Sequence, residues 1–173
     1  MKKNNPNKII VHHSADISPE PQFDKVNLYH KKRWSFISEF GYYVGYHYFI
    51  EQDGAVMHAR ADNEEGAHTI GQNTQSIGIC LAGNFNIETP TAQQRNALCR
   101  LLEQLLESWQ IPDNEIYPHR AFAQTNCYGT MLADDWAKLT YEQWKKKGLI
   151  NSLWLLKGQL EKLYNALLKY LKS

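Results

Sequence analysis

The chain has 173 residues, 43% of them hydrophobic, enough to bury one substantial core and to form one main domain with a small appendage. Nineteen Lys plus Arg against eighteen Asp plus Glu leave a formal charge of +1, so no global field favours nucleic acid or an anionic membrane. The three cysteines, Cys80, Cys99 and Cys127, are odd in number and widely spaced. They do not read as a disulfide framework, and reduced thiols with cytosolic synthesis are the expectation.

The N-terminal stretch MKKNNPNKII has two lysines but no apolar core, so it is not read as a secretory signal, and no apolar run is long enough to span a membrane. Residues 8–13, KIIVHH, are mostly β-branched and end on two histidines, the pattern of a buried strand. Strand side chains alternate between faces, so only one of His12 and His13 can point into a given site. Residues 23–33 carry mixed helical spacing. Residues 42–50, the Asp53-Gly54 turn and residues 55–58 read as a hairpin. Residues 76–82, SIGICLA, predict another apolar strand.

Thr89-Pro90 resembles an N-cap with Pro at the first helical position, and Leu98, Leu101, Leu102, Leu105 and Leu106 continue at helical spacing to Trp109. Residues 115–118 are short and strand-like and place His119 at their end. Residues 120–130 read as a loop, and Thr140-Tyr-Glu-Gln matches a capping box that starts a further helix. Strands alternate with helices, so the fold class is α/β.

Residues 151–173 differ from the domain at 1–150. Leu153, Leu156, Leu160, Leu163, Leu167 and Tyr170 recur at steps of three and four, with Lys157, Glu161, Lys162, Lys169 and Lys172 between them. This predicts an amphipathic, heptad-like helix. It can pack on the domain, self-associate with another copy, or lie on a membrane surface through Trp154, its tyrosines and its lysines.

Three residues far apart carry the chemistry: His12, His119 and Cys127. Zinc favours imidazole and thiolate, and a catalytic site holds it with three protein groups and leaves one position open. Two histidines and one cysteine meet that count.

Five segments in order, IIVHHSA, VGYHYFI, DGAVMHAR, GAHTIGQNTQSIGICLAGNF and HRAFAQTNCYG, resemble the type 2 N-acetylmuramoyl-L-alanine amidases. That family includes phage amidase endolysins and peptidoglycan recognition proteins, and the likeness spans about residues 8–148. The resemblance implies a central mixed β-sheet flanked by helices, with zinc as cofactor on His12, His119 and Cys127. It implies cleavage of the amide between N-acetylmuramic acid and L-alanine, with peptidoglycan as partner. It places Tyr46 beside the metal and Thr125 near the developing oxyanion, and sets His68 and Asn73 along the substrate groove. His13, His47 and His58 read as structural or exposed, and Cys80 and Cys99 as core.

Many family members have an acid after His-Arg and a proline after the cysteine. This chain has Ala121 and Tyr128, and Tyr128 is expected to reshape the cleft rim. Other readings are a binding module without hydrolysis and a thiol hydrolase using Cys127 with His119 as base. The expected setting is a phage or prophage endolysin made in the cytoplasm and acting on the wall after release, with a cytosolic wall-recycling amidase as the alternative.

Overall fold

A computed structural model of the chain describes residues 2–19 and 21–171. Lys172 and the side chains of Lys169 and Tyr170 lie outside the described residues. Five strands, β1 (Lys8–His13), β2 (Tyr48–Ile50), β3 (Val56–His58), β4 (Ser76–Leu81) and β5 (Ile116–Pro118), form one mixed sheet in the order β3-β2-β4-β1-β5. β1 runs parallel to β4 and β5, β2 runs parallel to β4, and β3 closes the far edge as the antiparallel half of the expected hairpin. Of residues 42–50 only the last three are strand.

β1 and β4 lie inside the sheet and are covered on both faces, which is why their sequences are continuous apolar runs. Alternation then divides the core. Ile9, Val11, Ile77, Ile79 and Leu81 face helix α2 (Ala92–Trp109) and the start of helix α3 (Trp136–Leu171). Phe49 and Cys80 face the other way, with Phe23 of helix α1 (Phe23–Arg33), Val44 and Ala59. His12 belongs to the second face and His13 to the first.

Two helix starts differ from expectation. α2 is capped by Thr91, two residues beyond Thr89: its hydroxyl accepts from Gln94 N at 3.0 Å and the Gln94 side chain accepts from Thr91 N at 3.1 Å. This reciprocal pair satisfies two orphan donors at once and outweighs the Thr-Pro signal. α3 begins at Trp136, four residues before Thr140, because burial of Ala137 and Tyr141 against α2 holds that turn in the helix.

α3 then runs unbroken past residue 150 to Leu171. Leu153, Leu156, Leu160, Leu163 and Leu167 are each more than half exposed, so this segment does not pack back on the domain. No helix among the described residues is long and apolar enough to cross a membrane.

Candidate metal centre

Strand register brings the two histidines together. Val11 pairs with Pro118, so His12 and His119 stand side by side just where β5 ends, with ring centroids 4.5 Å apart. A 3-10 turn, His119–Ala121, then swings the chain away, and the loop that follows brings Cys127 back. The Cys127 thiol accepts from the backbone N–H of His13 at 3.5 Å and lies 3.7 Å from His12 Nδ1. One ligand atom from each of His12, His119 and Cys127 falls within 4.8 Å of the others.

Two ligands on one tetrahedral zinc, at ~2.0 Å for nitrogen and ~2.3 Å for sulfur, stand about 3.6 Å apart, which matches the His12–Cys127 spacing. The donor chemistry and the geometry therefore fit a borderline-soft divalent ion. Among the described residues this is the one such cluster of His, Cys, Asp and Glu.

The loop is braced from within. The Thr125 hydroxyl oxygen accepts from Cys127 N at 3.2 Å, and Arg120 N donates to Cys127 O at 2.9 Å. The Arg120 guanidinium reaches Gly129 O at 2.7 Å and Leu132 O at 2.6 Å and finds its carboxylate in Asp134 rather than at Ala121. Tyr128 is 1% exposed, with its hydroxyl on Ala133 O and Asp134 O and its ring against Trp136. It belongs to the core and does not form the cleft rim, because the chain turns inward directly after Cys127.

Behind His12 lies a second histidine. His12 Nε2 is 3.0 Å from His68 Nδ1, His68 Nε2 is 3.4 Å from Ser76 Oγ, and Ser76 Oγ donates to Gln72 O at 2.8 Å. With Nδ1 of His12 turned to the metal position, its proton sits on Nε2 and donates to His68, which in turn donates to Ser76. Asn73 accepts from His68 N at 2.9 Å and Thr69 N at 2.8 Å and so ties this loop together.

Burial pushes the His12 and His68 pKa values well below the usual imidazole range, with neighbouring histidines adding to the effect, and burial also lowers His119. All three are neutral, the form in which imidazole binds a metal. Burial raises the Cys127 thiol to about 11, partly offset by the His13 N–H and Arg120. A thiol so raised is no activated nucleophile, which counts against a thiol-hydrolase chemistry. The Tyr46 ring packs 5.0 Å from His12, and burial together with the Cys80 and Cys127 sulfurs raises its phenol well above 10. Tyr46 is held as a hydrogen-bond donor rather than a base.

A family model described as N-acetylmuramoyl-L-alanine amidase matches residues 2–130. The chain belongs to the N-acetylmuramoyl-L-alanine amidase family. Peptidoglycan-recognition protein SC2 of Drosophila melanogaster is 31% identical over 144 residues, which cover 79% of this chain and 74% of that protein. Two amidases from Clostridium intestinale URNW share the fold. LysC superposes with a TM-score of 0.63 at 37% identity, covering 73% of this chain and 78% of its own. LysCS, an endolysin amidase, gives 0.64 at 35% identity, covering 75% and 81%.

Within this amidase domain the structure brings His12, His119, Cys127 and Tyr46 together, with Thr125 bracing the cysteine loop. It sets His68 behind His12, 8% exposed, and Asn73 as the clasp of the His68 loop. The His12–His68 contact was not foreseen from sequence. Its signal is Gly78, a glycine inside an otherwise apolar strand, which marks close approach of another group.

Proposed function

We propose that the protein is a zinc-dependent hydrolase of the amide between N-acetylmuramic acid and the first L-alanine of peptidoglycan. The observation that carries this reading is the convergence of His12, His119 and Cys127 within 4.8 Å, beside Tyr46. His12, His119 and Cys127 would hold the ion, and a zinc ion held there would supply Lewis-acid stabilisation of several kcal/mol at neutral pH.

The protein groups do the rest. His68 keeps the His12 proton on Nε2 and leaves Nδ1 as the ligand atom. The His13 N–H steadies the Cys127 sulfur. The phenol of Tyr46, hydrogen-bonded to the Cys80 thiol in the free protein and protonated at any working pH, would turn from that sulfur to donate to the oxygen that gains charge as the amide carbonyl is attacked. Thr125 spends its oxygen lone pair on Cys127 N and keeps its own O–H to donate to the same oxygen. His68 and Asn73 line the groove for glycan or stem peptide only through the surface of their loop, since the His68 ring is committed to His12.

Likeness to an endolysin amidase supports a phage or prophage lytic role after release from the cytoplasm. Likeness to a recognition protein supports binding of the same polymer, and the complete ligand set favours cutting over binding alone. The test is digestion of purified sacculi by zinc-loaded protein with mass spectrometry of the products. Free stem peptides beginning with alanine and intact glycan strands are expected. Tight binding to sacculi without release of peptide would replace hydrolysis by recognition.

A further inference from the structure

The second half of α3 has no cover from its own chain among the described residues. Leu149, Leu153, Leu156, Leu160, Leu163 and Leu167 form a single stripe at steps of four, three, four, three and four, each between 54% and 68% exposed. From Leu149 to Leu167 the helix extends roughly 28 Å at 1.5 Å per residue. A stripe that repeats every 3.5 residues follows a straight α-helix only if the helix supercoils left-handedly around another helix of the same repeat.

The geometry points to a second copy of this chain as the occupant, the two α3 helices pairing along the leucine seam. A second α3 is the partner with the matching repeat that this chain itself supplies, and a two-fold pairing closes without leaving a seam open. Burying six leucines from each copy, at roughly 60–120 Å² apiece, removes on the order of 1,000 Å² in total, the size at which specific interfaces begin.

Along the seam itself charge is sparse: residues 149–167 carry only Lys157, Lys162 and Glu161, with Lys157 4.0 Å from Glu161, while Lys145, Lys146 and Lys147 precede the seam and Lys169 and Lys172 follow it in the sequence. A helix lying on an anionic membrane lines its polar face with cations throughout, whereas here they gather at the two ends. Off the seam, Asn151, Ser152, Gln159 and Asn165 join Lys157, Glu161 and Lys162 in facing water, with Ile150, Trp154, Leu155 and Tyr164 exposed among them.

This inference is independent of the proposed chemistry. Sedimentation velocity of the full chain over a range of concentrations is expected to give at least twice the 20.1 kDa chain mass. Leu156→Glu/Leu163→Glu is expected to reduce the species to a single chain with unchanged near-ultraviolet circular dichroism, while Lys162→Gln, off the seam, stays assembled. A wild-type chain that is monomeric throughout, or an assembly indifferent to the paired glutamates, overturns the proposal. A monomer that instead co-sediments with phosphatidylglycerol vesicles overturns it in favour of a membrane.

Discussion

The ring of His68 occupies the space a side chain on Gly78 would need: a Cβ there would lie 2.5 Å from His68 Cγ. A Cβ on Gly66 would likewise lie 2.6 Å from His68 Cδ2. Two glycines thus leave the room that the imidazole behind His12 fills, and a side chain at either would displace it.

This placement makes His68 a positioning residue. His68→Ala and Gly78→Ala are expected to weaken zinc binding by about 10- to 100-fold, the range for lost partners of metal ligands. Competition with a chromogenic chelator measures it. Unchanged affinity in His68→Ala would show that His12 needs no second partner.

Metal affinity should depend on pH in a defined way. His12 and His119 are already neutral because burial lowers them, whereas the Cys127 thiol, pushed up to about 11, must lose a proton to bind. Below that value binding releases one proton, so each unit of rising pH should tighten zinc about tenfold. A plot of log affinity against pH with slope near one is expected. A slope near three would show the histidines giving up protons too.

Tyr46→Phe removes the phenol and keeps the ring against His12. Turnover on soluble muropeptides should fall about 10²- to 10³-fold, as for loss of one oxyanion donor, with zinc affinity unchanged. A parallel loss of zinc would recast Tyr46 as structural.

The buried His47 makes the fold acid-sensitive. Its Nδ1 accepts from Gly78 N and its Nε2 donates to Glu64 O, both at 3.0 Å, and burial lowers its pKa from 6.5 to about 4. The unfolded chain therefore binds the proton first, so this stabilisation is complete above 6.5 and is lost as pH falls toward 4. Roughly 3 kcal/mol is at stake. The urea midpoint of zinc-free protein should drop across this window, and His47→Gln should make the drop shallower, with His12, His13, His30 and His68, all lowered by burial, supplying the rest. A midpoint independent of pH would refute it.

The two central strands and the residue types of the metal centre were legible because both are local, whereas the expected strand over 42–50 shrank to its last three residues. β1 and β4 are continuous apolar runs, and imidazole and thiol are rare enough in combination to stand out. Alternation required that only one of His12 and His13 face the site, since adjacent strand residues cannot share a face, and the family resemblance chose His12. The capping signals misled because Thr-Pro and Thr-Tyr-Glu-Gln are weak against a reciprocal cap at Thr91 and the burial of Ala137 and Tyr141.

What the amino-acid sequence by itself determined is the α/β class, the family and the residue types of the candidate metal centre, because these rest on residue type, period and order along the chain. Only the tertiary structure decided that His68 backs His12, that Tyr128 is core, that Asp134 serves Arg120, and that the leucines of α3 face solvent. Each of those is a contact between residues distant in sequence, or the lack of one, and such contacts follow from strand register and loop path rather than from any local pattern.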